Sequence, residues 1–185
     1  LDLTKQDEPI IWNIRHHRCQ GFDARSGEMV SRLTYGIDGQ QLRNYGVWNL
    51  GHDKDQQPIL CVVSENVQKH VHGIRLSREG ENELLWSHYY GELYVVPGVA
   101  VEHIATTDVD DDGITELIYN VLDPAHDYRA FVRIRCGATG VVKASFEDAW
   151  CIGMGPEGCL LILDAPDGMT PVLGRLTVYQ LRPLN

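Results

Sequence analysis

The sequence predicts an all-β fold made of antiparallel sheets, and three observations support this prediction. Apolar residues show no sustained helical spacing over any segment of about twelve residues. Short runs rich in β-branched and aromatic residues recur instead, separated by clusters of Gly, Pro, Asp and Asn. The clearest of these runs alternate apolar and polar residues, as half-buried antiparallel strands do. Four predicted strands cover residues 58–63, 116–121, 131–135 and 176–181.

The runs repeat along the chain at a fixed distance. A shift of 57 residues places Asp53 and Asp55 on Asp110 and Asp112, and it places residues 60–62 on 117–119. Self-similarity at this period, with several strands in each unit, is typical of a β-propeller. We therefore predict β-propeller-type blades, each a sheet of four antiparallel strands.

The blade pattern assigns residues 1–185 to a single propeller segment, about half of a propeller. Its predicted parts are a partial blade at 9–43, full blades at 44–94 and 95–148, and a second partial blade at 149–185. Propellers are usually built from four to eight whole blades. Open blade edges also attract further strands. We therefore expect that more blades or another subunit are needed to close this propeller, with an oligomer as one outcome.

Composition excludes several classes of function. The chain has 26 acidic and 16 basic residues, for a formal charge of −10, which argues against a nucleic-acid surface. No stretch of about eighteen apolar residues predicts a membrane span. The first residues are polar and contain no signal peptide, and the chain does not begin with Met, so we expect a processed protein or a piece of a longer one.

Cysteine and histidine patterns give weaker predictions. The five cysteines form no CxxC pair, and an odd number cannot all pair within the chain. We expect buried thiols, with one disulfide between Cys151 and Cys159 as the alternative. The pairs His16-His17 and His70/His72 lack a third zinc ligand at suitable spacing, so we predict surface histidines.

The most informative segment is an acidic loop at residues 108–116. Asp108, Asp110 and Asp112 alternate, so their carboxylates can converge on one hard cation. Gly113 follows them and allows a sharp turn, and Glu116 stands at the ninth position. An EF-hand loop requires an acid at the twelfth position, where this chain has Tyr119. Since strands rather than helices flank the loop, an EF-hand is excluded.

The pattern Asp-x-Asp-x-Asp-Gly-x-x-Glu, followed at once by an apolar strand, resembles the FG-GAP/VCBS-type repeats of integrin-α-like propellers. The resemblance implies that the loop joins the first two strands of a blade and holds Ca²⁺. The implied ligands are the side chains of Asp108, Asp110, Asp112 and Glu116 and the backbone carbonyl of Ile114. The preceding blade keeps only Asp53 and Asp55 of this set, so we predict a degenerate metal loop there.

Trp86, Tyr89 and Tyr90 are concentrated near the end of one blade. Such rings can form a stacking platform for a glycan. In the alternative interpretation, they fill the space between blades and keep their polar atoms hydrated or hydrogen-bonded.

These observations predict a calcium-binding, non-catalytic scaffold that presents loops to a protein or glycan ligand. The alternative is the propeller domain of a polysaccharide lyase-like enzyme, because rhamnogalacturonan-lyase-like propellers carry similar calcium loops. A third, quinoprotein-like interpretation depends on residues 22–28, but Ser31 stands where that family has Trp. No catalytic residues are predicted. Loops of this kind suit the calcium levels found outside the cytosol, so we expect a secreted or periplasmic location.

Overall fold

The computed structural model describes residues 10–15, 18–34, 36–37, 40–41, 48–65, 68–76, 83–92, 101–165 and 175–180. Within these ranges the fold is all-β, as predicted. Helical structure in them consists of two short 3-10 turns, Pro124–His126 and Pro156–Gly158. No helix in the described part of the chain is long and apolar enough to cross a membrane.

The first sheet contains three strands in the order β1-β2-β3. They are β1 (Ile10–Arg15), β2 (Arg18–Asp23) and β3 (Met29–Thr34). A two-stranded ribbon follows, made of β4 (Gly36–Ile37) and β5 (Gln40–Gln41). The sequence did not predict this ribbon, because two-residue strands leave no periodic pattern.

The second and third sheets each contain four strands. The second is formed by β6 (Trp48–His52), β7 (Pro58–Glu65), β8 (Gln68–Arg75) and β9 (Glu83–Glu92). The third is formed by β10 (Val101–Thr107), β11 (Glu116–Asp123), β12 (Arg129–Cys136) and β13 (Val142–Glu147). The fourth sheet has three strands, β14 (Ala149–Met154), β15 (Leu160–Asp164) and β16 (Leu176–Tyr179).

Strands that follow one another in the chain pair side by side and antiparallel in all four sheets. This arrangement is the meander of a propeller blade. Two four-stranded sheets and two three-stranded sheets give the predicted two full and two partial blades. The bounds of the four blade segments stay a prediction.

The third sheet is packed between its two neighbours, and β11 is buried along its whole length. On one face Leu117, Tyr119 and Val121 pack against residues of the second sheet that include Ile59. On the other face Ile118 packs against residues of the fourth sheet that include Cys151. Burial on both faces explains why apolar residues stand next to one another at 117–119 and 121–122 instead of alternating with polar ones.

One of the weaker predictions, that of surface histidines, is corrected. His72 is not a surface histidine, because it is only 1% exposed and stacks against His70 with ring centroids 5.3 Å apart. The strand that carries His72, β8, is covered on both faces. The polar residues that alternate along its sequence do not reveal this burial. His16 and His17 lie outside the described residues.

Cys151 and Cys159 form no disulfide with each other, so the alternative pairing is absent from the described part of the chain. Cys61, Cys136 and Cys151 are buried, as predicted, and Cys159 is half-buried. Burial raises the pKa of Cys61 to about 12, so this thiol stays protonated at neutral pH.

Candidate functional site

The acidic loop connects β10 to β11 at one end of the third sheet. Its turn is formed by Asp111 and Gly113, which have φ angles of 58° and 82°. Asp and Gly are among the residues that tolerate this left-handed conformation. The loop is held by its own backbone amides, since Gly113 N donates to Asp108 Oδ2 at 3.0 Å and Val109 N donates to Glu116 Oε2 at 2.9 Å.

The loop brings three acidic side chains together. One carboxylate oxygen from each of Asp108, Asp110 and Glu116 lies within 4.8 Å of the others. Two oxygens that both bind Ca²⁺ at 2.3–2.6 Å can be at most about 5 Å apart, so this spacing fits a single calcium ion. Glu116 is fully buried, and Asp108 Oδ1 is a buried atom with no hydrogen-bond partner among the residues that the structure describes. The residues present therefore fit a hard cation.

Lys143, which the sequence analysis missed, reaches into the same cluster from β13. Its Nζ lies 2.8 Å from Asp110 Oδ2, 2.7 Å from Asp112 Oδ2 and 2.8 Å from Glu116 Oε1. The ammonium group is thus an internal cation for these carboxylates. One signal in the sequence could have predicted this contact. Lys143 stands at the start of β13, which lies at the same end of the sheet as the loop.

The charges in the cluster influence one another. Burial opposes the ammonium form of Lys143, but hydrogen bonds to Asp110, Asp112 and Glu116 outweigh it and raise the lysine pKa. The hydrogen bond from Lys143 lowers the pKa of Asp112. Burial raises the pKa of Glu116, against the opposite effects of Lys143 and the Val109 amide. A buried carboxylate of this kind gains from any cation that stays close to it.

The remaining predicted ligands occupy different positions. Asp112 contacts the cluster through Lys143, while its Oδ1 accepts a hydrogen bond from Ile114 N at 2.8 Å. The role of the Ile114 carbonyl as a ligand stays a prediction.

The degenerate loop of the second sheet is organised around one aspartate. Asp53 is buried, and its Oδ1 accepts hydrogen bonds from the amides of Asp55 and Gln57, both at 2.9 Å. Its Oδ2 lies 3.4 Å from Arg75. Asp55 is exposed. The carboxylate of Asp53 therefore serves the turn itself and a nearby arginine.

The three aromatic residues of the possible ligand platform do not lie on one exposed surface. Trp86 is half-buried and donates from Nε1 to the Gly137 carbonyl at 2.6 Å. Tyr90 is 3% exposed, and its hydroxyl lies 2.6 Å from that of Tyr119. Tyr89 is 48% exposed and packs against His70. Two of the three rings thus lie between the second and third sheets.

Comparisons with known proteins found a distant similarity in structure. No protein-family model matches the chain, and no curated protein matches it. Among solved structures, the crystal structure of BamB from Moraxella catarrhalis is similar with a TM-score of 0.47 and 13% sequence identity. The match covers 96% of this chain and 51% of BamB, so the chain spans about half the length of that protein.

Proposed function

We propose that this chain is a calcium-stabilised segment of propeller-type blades that serves as a non-catalytic binding scaffold for a protein or glycan. Asp108, Asp110, Asp112, Glu116 and the Ile114 carbonyl would hold the ion. Two observations carry this proposal: the carboxylates of Asp108, Asp110 and Glu116 converge, and the buried Asp108 Oδ1 has no hydrogen-bond partner among the described residues. An all-oxygen donor set favours Ca²⁺ or Mg²⁺ over softer metals. The flexible spacing of a loop suits Ca²⁺ better than the rigid octahedron of Mg²⁺.

Calcium would act here as a structural ion. Bound to the loop, it would neutralise carboxylates that otherwise repel one another, and it would tie the end of β10 to the start of β11. Calcium and the Lys143 ammonium use the same carboxylates, so binding requires Lys143 to turn away. The side chain is 23% exposed and has a four-carbon stem, which allows that movement.

A calcium titration tests this proposal. Thermal melting in calcium and in chelator should differ, because a ligand that binds only the folded state adds roughly 2.7 kcal/mol at a hundredfold excess over its Kd. Asp110→Asn should reduce that difference and weaken calcium binding about tenfold or more in calorimetry, because it removes one charged ligand.

Asp111→Asn is the matched control for this experiment. It makes the same change at the next position, where the side chain is exposed and belongs to neither the cluster nor the Lys143 ion pairs. It should leave calcium binding close to that of the parent. Identical melting curves with and without chelator, together with no calorimetric signal, would refute the calcium site.

The scaffold role is tested separately from calcium. Polysaccharides and proteins that the chain retains in calcium should be recovered intact after prolonged incubation. Release of shortened, unsaturated sugar products would instead support the polysaccharide lyase alternative, which stays a prediction. The expected secreted or periplasmic location also remains part of the proposal.

A further inference from the structure

A second candidate site lies in a cleft between the second and third sheets. The cavity has a volume of about 560 Å³ and is bordered by the end of β9, the turn after β11, and strands β12 and β13. This volume falls in the range of small-molecule sites, roughly 300–1,000 Å³. Asp123, Pro124, Arg133, Arg135 and Val142 are among the residues that line it.

Arg135 lines this cleft without an acidic partner. It is 7% exposed, and its guanidinium donates to the Tyr119 hydroxyl at 3.1 Å and to the Gly140 carbonyl. No carboxylate in the described part of the chain lies within ion-pair distance of it. Another neighbour of Arg135 is the Trp86 ring, whose centroid lies 5.6 Å from the guanidinium carbon. A buried cation whose hydrogen-bond partners are neutral oxygens keeps an unfavourable desolvation energy, which a bound anion would reduce.

Arg133 lies two residues away on the same face of β12. Its Nη2 pairs with Asp123 Oδ2 at 3.0 Å, and its guanidinium carbon lies 4.2 Å from the Phe131 ring centroid. Its Nε is buried and has no hydrogen-bond partner among the residues that the structure describes. A buried N–H of this kind is expected to have an acceptor. The arginine therefore offers a donor that no side chain of the cleft satisfies.

The charge of the cleft is opposite to that of the chain as a whole. Two arginines outnumber the one carboxylate of Asp123, which leaves a surplus of one positive charge before the histidines are counted. His88 adds little at neutral pH, because burial, with Arg135 as the next cause, lowers its pKa. The chain as a whole carries a formal charge of −10. A cationic cleft in a protein of net negative charge indicates a site for an anionic ligand.

We infer that this cleft binds a small organic carboxylate, held between the guanidinium groups of Arg133 and Arg135. The planar fork of arginine matches the two oxygens of a carboxylate. A single negative charge balances the surplus, and Asp123 disfavours a dianion such as a phosphate monoester. Val142 and Pro124 provide apolar walls, so the body of the ligand should be a ring or a short hydrocarbon.

Three probes of similar size test the charge requirement. Benzoate, the neutral benzamide and the dianionic phenyl phosphate would each be titrated up to about 10 mM, since small ligands bind weakly. The readout is the arginine Nε–H resonances of the ¹⁵N-labelled chain. Benzoate should shift two of them, benzamide should shift none, and phenyl phosphate should bind more weakly than benzoate. Equal binding of benzamide, tighter binding of phenyl phosphate, or no shift with benzoate would overturn the inference.

Variants locate the site. Arg133→Gln should weaken benzoate binding about tenfold, because one charge-assisted hydrogen bond is lost. Arg175→Gln, which removes an exposed arginine outside the cleft, should bind benzoate as the parent does. Melting of Arg133→Gln verifies that it is folded, and Arg135→Lys provides a second variant that retains the charge but loses the fork. Unchanged benzoate binding in both Arg133→Gln and Arg135→Lys would place the anion elsewhere and refute the site.

Discussion

At the scale of single residues, Lys143 determines how the acidic loop behaves. Its ammonium group makes ion pairs with Asp110, Asp112 and Glu116, and the last of these is fully buried. Removing one partner of a buried ion pair leaves an uncompensated charge, which costs more than the loss of a surface pair. In this structure the carboxylates of the loop are held by Lys143, and in the proposed calcium-bound form the ion would take its place.

Lys143→Met tests this competition. In chelator the variant should melt at a lower temperature than the parent, because the three carboxylates lose their common partner. In calcium it should recover, and its calcium affinity in calorimetry should exceed that of the parent, since no ammonium group has to be displaced. A variant that melts at the parent temperature in chelator would show that the ion pairs contribute nothing.

His72 predicts an acid-sensitive stability. Burial, followed by the neighbouring His70, lowers the pKa of His72 to about 3, and neither ring nitrogen has a hydrogen-bond partner within the described residues. The unfolded chain binds a proton near pH 6.5, whereas the folded chain does not, so stability falls as the pH drops from about 6.5 towards 3. At pH 5 the loss should be about 2 kcal/mol.

Urea unfolding of the parent and of His72→Leu measures this effect. The leucine variant should show a flatter fall in stability between pH 6.5 and pH 5, while a comparison at pH 7.5 isolates the change in packing. Parallel curves for the two proteins would rule out His72 as the source of the acid sensitivity.

The sequence predicted contacts between residues that are close in the chain, and it missed contacts between residues that are far apart in it. Asp108, Asp110 and Glu116 belong to one short loop, so their spacing alone predicted that they meet. Lys143 reaches the loop only through the pairing of four strands, and His72 is buried only because a strand is covered on both faces. Such contacts depend on register and packing, which local patterns do not encode.

At the scale of secondary-structure elements, the junction between β6 and the end of the acidic loop joins two blades. Thr115 Oγ1 accepts from His52 N at 2.7 Å and donates to His52 O at 3.1 Å, and Thr115 N donates to the same carbonyl at 3.0 Å. The close approach requires a glycine, because a Cβ on Gly51 would lie 1.9 Å from Thr115 Oγ1. The blades are thus joined by backbone contacts as well as by apolar packing.

Thr115→Val should destabilise this junction. Valine has nearly the same shape but leaves His52 N without its acceptor, at a cost of about 1–3 kcal/mol. Chemical unfolding measures the change, and Thr177→Val on β16 is a matched control that should stay within about 0.5 kcal/mol of the parent. Equal stability of the two variants would show that water replaces the threonine hydroxyl without cost.

The strands were the most predictable elements and the short connections the least. Residues 116–121 and 131–135 were predicted as strands and lie inside β11 and β12. The 3-10 turn Pro124–His126 was not predicted, because three residues leave no periodic signal. Asp123 caps this turn, and the same side chain pairs with Arg133 in the cleft.

At the scale of the whole molecule, the fourth sheet has one covered face and one open face. Cys151 and Ile162 point towards the third sheet and are buried. Alternation places Leu176 and Val178 on the opposite face, where they are 52% and 58% exposed. The third sheet, by comparison, is covered on both sides. The open face of the fourth sheet is therefore suited to one more sheet of the same kind, from further blades or from a second copy of the chain.

This open face predicts self-association of the chain, and charge placed there should prevent it. Exposed apolar surface favours association because its burial releases water, by roughly 25 cal/mol for each Å² covered. Sedimentation of the 185-residue chain should show a mass that rises with concentration. The double variant Leu176→Lys/Val178→Lys should remain monomeric, since two buried lysines without partners oppose contact between the sheets. Its melting temperature should stay near that of the parent, because both positions face solvent in the single chain.

Val141→Lys is the matched control, since Val141 is 62% exposed but lies in the hairpin before β13, and this variant should associate as the parent does. A parent chain that is monomeric at every concentration would show that the open face is tolerated in water. A double variant that associates as strongly as the parent would place the interface on another surface.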